Sequence, residues 1–133
     1  MNKIFRLLVA LAVVAMVACN SNGKTVYVQD YITEDMTEDA YPGIRLALEE
    51  ALKSDNSTLV FPGGTLNIKD TYCFEKYQYI SNNTQGKKRI AINLEGVEGL
   101  TIEGNGTTLL FTGFISPFNV ENSNNITISD LNI

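Results

Sequence analysis

Apolar residues alternate with polar ones in a series of short segments from residue 59 to the end of the sequence. A period of two is typical of β-strands that bury one face. The alternating residues are Leu59 and Phe61, Leu66 and Ile68, Ile90, Ile92 and Leu94, Leu100 and Ile102, Leu109 and Phe111, Phe118 and Val120, Ile126 and Ile128, and Leu131 and Ile133. Glycine and asparagine separate nearly all of these segments, as short strands joined by turns require. With a first strand at Thr25–Val28, the pattern predicts an all-β domain.

A different periodicity precedes these strands. Apolar residues recur at helical spacing on one face of a segment that Pro42 opens, and proline suits the first helical turn because its missing N–H has no partner there. The apolar positions are Ile44, Ala47, Leu48, Ala51 and Leu52, whereas Arg45, Glu49, Glu50 and Lys53 fall on the other face. We predict an amphipathic α-helix over about residues 42–53.

One segment of the strand region is repeated. Residues 93–102 align with residues 119–128 at a displacement of 26 positions, with asparagine, glutamate, threonine and isoleucine identical. A period of this size is typical of a solenoid, in which each coil buries its inward face against its neighbours. Because the first coil needs a cover, the helix is predicted to cap it. We therefore predict a parallel β-helix; the alternative, an antiparallel sandwich, explains neither the repeat nor the helix.

The first residues of the chain have the marks of an export signal. Lys3 and Arg6 form a basic start, and residues 7–18 are apolar. At ~12 residues this run is shorter than the ~20 that a membrane-spanning helix needs, and small residues close it. We expect residues 1–18 to be a signal peptide and the protein to be exported.

The segment Met16-Val17-Ala18-Cys19 resembles the lipobox of bacterial lipoproteins. The resemblance implies that Cys19 is lipidated and anchors the protein in the cell envelope, in the outer membrane or periplasm of a Gram-negative bacterium. Residues 19–24 would then be a tether and residues 25–133 the start of the β-helix domain. An ordinary secretory signal that ends near a cysteine is the alternative.

Composition excludes several classes of function. The formal net charge is −5, and the basic residues cluster only at Lys87-Lys88-Arg89, so nucleic-acid binding is not expected. Beyond Cys19 there is one cysteine, Cys73, and no histidine, which rules out an intrachain disulfide in the lipidated protein and a Cys–His pair. The flanking Tyr72 and Phe74 predict a buried Cys73 thiol. No metal site and no cofactor are predicted.

Several longer stretches resemble known families. The helix followed by Thr58-Leu59-Val60-Phe61-Pro62-Gly63-Gly64-Thr65 resembles the opening of right-handed, pectin-lyase-like β-helix proteins. Further stretches, in order, resemble the N-terminal region of glycoside hydrolase family 110: Phe74-Glu75-Lys76-Tyr77, Ile80-Ser81-Asn82-Asn83, Lys88-Arg89-Ile90-Ala91, Gly104-Asn105-Gly106-Thr107-Thr108-Leu109-Leu110-Phe111 and Pro117-Phe118-Asn119-Val120-Glu121-Asn122-Ser123. That family comprises bacterial exo-α-galactosidases.

The resemblance implies a substrate and a mechanism. Members of the family remove terminal α-1,3-linked galactose, including that of the blood group B determinant, with inversion. Their catalytic aspartates lie on later coils, so no catalytic residue is expected in this chain. Since the strand pattern continues to Ile133 without a closing turn or cap, we expect further coils C-terminal to it.

Within the chain, two pairs of carboxylates are candidates for a catalytic pair. Glu95 and Glu121 are in register in the repeat, and Glu103 and Asp130 follow its Thr-Ile strands at nearly the same phase, so adjacent coils could bring them together. An inverting glycosidase needs two carboxyl groups ~6.5–9.5 Å apart. We interpret all four as solvent-facing, with mild repulsion between Glu95 and Glu121.

Two further groups of polar and aromatic residues admit a ligand-binding interpretation. Asn122, Asn124 and Asn125 are predicted to belong to a structural asparagine ladder. The aromatic residues Tyr72, Phe74, Tyr77 and Tyr79 are predicted to pack in a loop between early coils, although a sugar-stacking surface is the alternative.

Three functions remain open for the parent protein. The leading hypothesis is a lipid-anchored exo-α-1,3-galactosidase that acts on galactose-terminated oligosaccharides or glycoconjugates. A β-helix polysaccharide lyase would instead need Ca²⁺ and produce a new double bond. A non-catalytic glycan-binding β-helix would bind without turnover.

Overall fold

The computed structural model describes residues 23–79 and 85–133. Within these ranges the chain is mostly β-strand, with one α-helix and short 3₁₀ turns. The strands are β1 (Thr25–Tyr27), β2 (Ser57–Val60), β3 (Thr65–Lys69), β4 (Phe74–Gln78), β5 (Gly86–Glu95), β6 (Glu98–Thr112), β7 (Ile115–Glu121) and β8 (Asn124–Asn132), and the helix α1 is Tyr41–Ala51. The predicted signal peptide 1–18 and Cys19 lie outside the described residues.

Helix α1 forms where the periodicity predicted it. Its first turn contains Pro42, and Asp39 Oδ1 accepts a hydrogen bond from the Tyr41 backbone N–H at 3.1 Å. The helix ends two residues earlier than predicted because Lys53 N–H bonds to Glu50 O, three residues back, in a tightened last turn. No helix in the described part of the chain is long and apolar enough to cross a membrane.

The apolar face of α1 packs on the strands that surround it. The buried residues of this face are Tyr41, Gly43, Ile44, Ala47, Leu48 and Ala51. The helix contacts β1, β2, β3 and β5, and the Tyr41 hydroxyl donates a hydrogen bond to the Ala91 carbonyl at 3.0 Å. The helix therefore covers one end of the core, as its amphipathic pattern predicted.

The strands pair mainly in parallel with strands that follow much later in the chain. Among the described residues, only the β4–β5 pairing is antiparallel. In β5 and β7, Leu94 pairs with Val120, and in β6 and β8, Leu100 pairs with Ile126. These partners are the equivalent positions of the sequence repeat, so the predicted parallel stacking is confirmed, and an antiparallel sandwich is contradicted.

The core lies between the two sheets that these pairings form. One sheet contains β1, β2, β6, β3 and β8, and the other contains β4, β5 and β7. The largest buried apolar side chains come from both sheets and from the helix: Val28, Ile44, Leu59, Phe61, Ile68, Ile90, Ile92, Leu94, Leu100, Ile102 and Leu109. Most of these were predicted to be inward from their alternation.

Burial decreases towards β7 and β8. Ile126 and Leu131 are only partly buried, Ile128 is exposed, and Val120, although in register with the fully buried Leu94, is 49% exposed. Ile133 is exposed as well. The alternation predicted the strands here correctly, but within the described residues no later strand covers this end of the core.

The turns between stacked strands also align. One residue in each of three stacked layers has a positive φ, near 55–70°: Asn56, Gly99 and Asn125. The residues that follow them, Ser57, Leu100 and Ile126, are aligned with one another in the register of the strands. Positive φ is disfavoured for most residues but accessible to glycine and asparagine. A Cβ at Gly99 would lie 2.2 Å from Asn56 Oδ1 and 3.0 Å from Asn56 Cα, so the layers approach closely here.

Cys73 is buried, as predicted from its neighbours. Burial raises the pKa of its thiol to about 11, with further contributions from the nearby carboxylates of Asp39 and Asp70. A thiol with this pKa is protonated at neutral pH and is a weak nucleophile. We therefore interpret Cys73 as a packing residue.

We predict that Gly99→Ala destabilises the protein by about 1–3 kcal/mol, because it combines strained backbone with a steric conflict at Asn56. Gly86→Ala is the matched control, since Gly86 has no positive φ and no atom of the described residues lies within 4 Å of the position that a Cβ would take. This control should change stability by less than about 0.5 kcal/mol. Urea unfolding followed by circular dichroism measures both. Equal midpoints for the two variants would contradict the stacked-turn geometry.

Candidate functional site

Two clefts, together called the groove, lie where β7 meets the hairpin formed by β4 and the first half of β5. Ser116 lines both clefts. One cleft, of about 540 Å³, is lined by Glu75, Lys87, Lys88, Arg89, Phe114 and Ile115. The other, of about 500 Å³, is lined by Lys76, Tyr77, Gln78, Tyr79, Phe118, Asn119 and Glu121. Both volumes are within the range of ~300–1,000 Å³ that is typical of ligand sites.

Cross-strand charge pairs hold the hairpin together. Glu75 lies opposite Arg89 in the antiparallel register, and its carboxylate contacts Lys87 Nζ at 2.7 Å and Arg89 Nε at 3.6 Å. Arg89 also contacts the Asp70 carboxylate. Opposite charges facing one another across a strand pair are stabilising. The basic cluster Lys87-Lys88-Arg89 is therefore part of a strand, with Lys87 and Arg89 paired to carboxylates.

Lys76, on β4, binds a carboxylate on β5 and another on β7. Its Nζ lies 2.8 Å from Glu95 Oε2 and 2.5 Å from Glu121 Oε2, and Glu95 and Glu121 are partners in the β5–β7 register. The predicted repulsion between these glutamates is wrong for the structure, because the ammonium lies between them. The pKa of Lys76 is raised by its hydrogen bonds to Glu121 and Glu95, and the hydrogen bond from Lys76 lowers the pKa of Glu121.

This arrangement does not suit general acid catalysis. A catalytic acid needs a raised pKa, whereas that of Glu121 is lowered. Carboxylates that share one ammonium also lie closer together than the ~6.5–9.5 Å that an inverting mechanism requires. Glu95 and Glu121 are therefore structural, which agrees with the interpretation made from the sequence.

A short chain of amides crosses the same groove. Asn119 Nδ2 donates to Asn93 Oδ1 at 2.7 Å, and Gln78 Nε2 donates to Asn119 Oδ1 at 2.8 Å. Asn93 and Asn119 are partners on adjacent parallel strands, 26 residues apart, so their side chains stack. A stacked pair of asparagines thus exists, at positions other than those predicted for an asparagine ladder.

The asparagines predicted to form the ladder have a different role. Asn124 and Asn125 each donate to the carboxylate of Glu98, at 3.1 and 2.8 Å, and Asn122 has a positive φ of 49°. Asn122 belongs to a turn, and Asn124 and Asn125 bind the Glu98 carboxylate. Their role is structural, as predicted, but they do not form a ladder. The signal that distinguishes Asn93 and Asn119 is their identity at equivalent positions of the repeat.

The remaining carboxylate candidates do not form a site. Glu103 pairs with Ser129 rather than with Asp130, both carboxylates are exposed, and Asp130 has a positive φ of 52° next to an irregularity in the β6–β8 register. Among the described residues there is no group of three or more side chains able to hold a metal ion.

The predicted packing of the aromatic residues is wrong. Tyr77 and Tyr79 are 68% and 72% exposed at the groove, and Tyr72 and Phe74 are also exposed. They lie on or beside the hairpin, whose outer positions face solvent rather than the core. Phe114, which no sequence pattern singled out, is 98% exposed and lines the other cleft. Exposed aromatic rings and polar groups therefore occur together along β7.

The chain is similar in sequence to proteins that are named alpha-1,3-galactosidase. It is 31% identical over 112 residues to "Alpha-1,3-galactosidase B" of Bacteroides thetaiotaomicron, covering 83% of this chain and 18% of that protein. It is 30% identical over 128 residues to "Alpha-1,3-galactosidase A" of Shewanella woodyi, covering 92% of this chain and 21% of that protein. No family model matches the chain. The chain spans about a fifth of the length of these curated relatives.

We predict that Lys76→Met lowers stability at neutral pH, because it leaves Glu95 and Glu121 facing one another without a cation. The lowered pKa of Glu121 means that its share of this stabilisation is present above its ordinary value of 4.5 and is lost as the pH falls through the lower folded-state value. The raised pKa of Lys76 means a second loss above 10.5. Urea midpoints measured across pH test both limits.

The double variant Lys76→Met with Glu121→Gln is the control for this experiment. It removes the charge on Glu121, so the effect of Lys76→Met should be smaller in that background. A difference between wild type and Lys76→Met that is independent of pH would contradict the role of Lys76 as the shared cation.

Proposed function

We propose that this chain forms the N-terminal coils of an α-1,3-galactosidase of glycoside hydrolase family 110. The observation that carries the proposal is the similarity to proteins named alpha-1,3-galactosidase, which extends over 83–92% of the chain in two of them. The family stretches noted in the sequence lie in the same order along the chain. Because the chain spans only about a fifth of these relatives, the activity is proposed for the larger protein to which this segment belongs.

The fold proposed for the domain is a right-handed parallel β-helix of the pectin-lyase-like type. Its support is the parallel register between equivalent positions, Leu94 with Val120 and Leu100 with Ile126. Helix α1 covers the first layer, and the half-exposed apolar residues of β7 and β8 offer an inward face for a further coil. In a solenoid, each coil is stabilised by its neighbours, which explains why burial falls at this end.

We assign no catalytic role to any residue of this chain. Hydrolysis with inversion needs one carboxylic acid to protonate the leaving oxygen and one carboxylate to activate water. Glu121 is held ionised by Lys76, and Glu103 and Asp130 are not register partners. The acid and the base would lie on later coils, so the segment described here supports the catalytic coils rather than performing the reaction.

The location proposed for the protein follows from its first residues. Residues 1–18 would be removed on export, and Cys19 would carry the lipid that anchors the domain in the cell envelope. A galactosidase in this position would act on galactose-terminated oligosaccharides or glycoconjugates outside the cytoplasm.

We predict that the complete protein releases galactose from oligosaccharides with a terminal α-1,3-linked galactose. Proton NMR during the reaction should show β-galactose as the first product, because inversion of an α-linkage yields the β-anomer. An α-1,6-linked galactoside is the matched control and should release less galactose. Absence of galactose release from the α-1,3-linked substrate would contradict the proposal, and a chelator-sensitive unsaturated product would indicate a lyase instead.

We further predict that Cys19→Ser moves the protein from the membrane fraction to the soluble fraction of its host, because the serine cannot accept the thioether-linked lipid. Metabolic labelling with a fatty-acid analogue should mark the wild type and not the variant. Equal membrane retention of the two proteins, with no label on either, would support an ordinary secretory signal instead.

A further inference from the structure

We propose that the outward surface of helix α1 faces the lipid bilayer, so that the coils of the domain stack away from the membrane. This surface, called the cap face, is lined by Pro42, Arg45, Leu46, Glu49 and Tyr72. The inference rests on the lipidation of Cys19 proposed above, and it adds which surface of the domain the lipid holds against the bilayer.

The tether between the lipid and the fold is short. Only three residues separate Cys19 from Gly23, where the described part of the chain begins. Four Cα–Cα steps of ~3.3–3.6 Å span at most about 14 Å. Gly23 is already packed in the first layer, because a Cβ there would lie 1.6 Å from the Asn56 carbonyl oxygen. A lipid on Cys19 would therefore hold the start of β1 close to the membrane surface.

The tether joins the fold beside the C-terminal end of α1. Lys24 Nζ and Lys53 Nζ both contact the carboxylate of Glu50, in the last turn of the helix. Hydrogen bonds from the two lysines lower the pKa of Glu50 to about 2, so these contacts persist at neutral pH. Since α1 covers the first layer, the capped end of the stack is the end nearest the lipid. Further coils of the larger protein would add beyond β7 and β8, at the opposite end.

The side of the stack that carries the aligned turns is a second surface within reach of the bilayer, and it is acidic. A cleft on this turn side, between the end of α1 and the turn from β5 to β6, is lined by the carboxylates of Asp55, Glu95 and Glu98. Among the described residues, no lysine or arginine lines this cleft. Anionic lipids give a bilayer a negative surface potential, which repels carboxylates. The charge therefore opposes a domain that lies on its turn side.

The cap face has balanced charge and exposed apolar side chains. Arg45 Nε lies 2.9 Å from Glu49 Oε1, which pairs the two charges. Leu46 is 52% exposed and Tyr72 is 58% exposed on the same surface. Burial of leucine at the boundary between headgroups and acyl chains is favourable, and tyrosine is enriched there. Of the two surfaces, the cap face is the one that a bilayer accommodates.

An acidic segment limits the strength of this contact. The connection from β1 to α1 contains the carboxylates of Asp30, Glu34, Asp35, Glu38 and Asp39. A Cβ at Gly43 would lie 2.6 Å from the Tyr31 carbonyl oxygen, so this connection meets α1 near its first turn, away from the tether. These carboxylates oppose binding to a bilayer by the cap face alone. The contact therefore depends on the anchor, because a short tether gives a high effective concentration.

The test is lipid cross-linking in the complete, lipidated protein, reconstituted in vesicles of phosphatidylethanolamine and phosphatidylglycerol. The photoreactive amino acid p-benzoylphenylalanine replaces Leu46 on the cap face or, as the matched control, Asn124 on the turn side. Asn124 is exposed, and its strand lies three pairings from β1, or about 14 Å at the ~4.8 Å strand spacing. We expect about fivefold more lipid adduct from position 46, the scale of one charge at an anionic surface. Mass spectrometry of the cross-linked peptides measures the adducts.

A second comparison tests the apolar contact. With the photoreactive amino acid in place of Tyr72, Leu46→Glu should lower the lipid adduct about fivefold, because it brings a carboxylate to the bilayer. Leu46→Met is the control and should leave the adduct unchanged, since it keeps an apolar side chain. Circular dichroism shows whether each variant folds. A lipid adduct that Leu46→Glu does not lower would contradict the inference.

Three results of the first experiment would overturn the orientation: equal lipid adducts from positions 46 and 124, more adduct from 124, and cross-links from position 46 to protein alone. The last result would indicate a second copy or another protein on the cap face. Failure of the proposed lipidation is distinguishable, because the wild-type protein would then carry no lipid and would not remain with the vesicles. That result would overturn the anchor and the orientation together.

Discussion

The structure depends on the parallel pairing of strands that occupy equivalent positions of the sequence repeat. When Leu100 pairs with Ile126, backbone N–H and C=O groups bond from one layer to the next, and Ile102 lies in register with Ile128. The same register pairs Asn93 with Asn119 and Glu95 with Glu121 on the outward face. A shift of one residue would turn every apolar residue outward, so the repeat specifies the register strongly.

This register also determines what the surface can offer. The stacked carboxylates of Glu95 and Glu121 repel one another unless a cation lies between them, and Lys76 of the hairpin is that cation. Gln78, also on the hairpin, donates a hydrogen bond to the stacked amide of Asn119. The hairpin is thereby held along β7 with a groove beside it, lined by polar groups with fixed orientation.

Sequence reasoning predicted the features that local patterns encode. The helix, the alternating strands and the displacement of 26 residues all follow from periodicity, and the structure confirms the parallel pairing that the repeat implied. The hairpin was missed because Phe74–Gln78 contains no clear alternation of apolar and polar residues. The contact from Lys76 to Glu121 spans 45 residues, and Phe114 is distinguished only by its exposure at a turn. Neither has a local signal, so only the three-dimensional arrangement reveals the groove.

Disulfide trapping tests the parallel register most directly. Thr101 and Thr127 are partners on β6 and β8, and neighbouring strands lie ~4.8 Å apart, within the Cα separation of ~4.4–6.8 Å that a disulfide accepts. Cysteines introduced at these two positions should form an intrachain disulfide under mild oxidation, detectable by mass spectrometry of the peptides. Cysteines at Thr101 and Ser129, two residues out of register, should form much less. Equal trapping of the two pairs, or preference for the second, would contradict the stacked register.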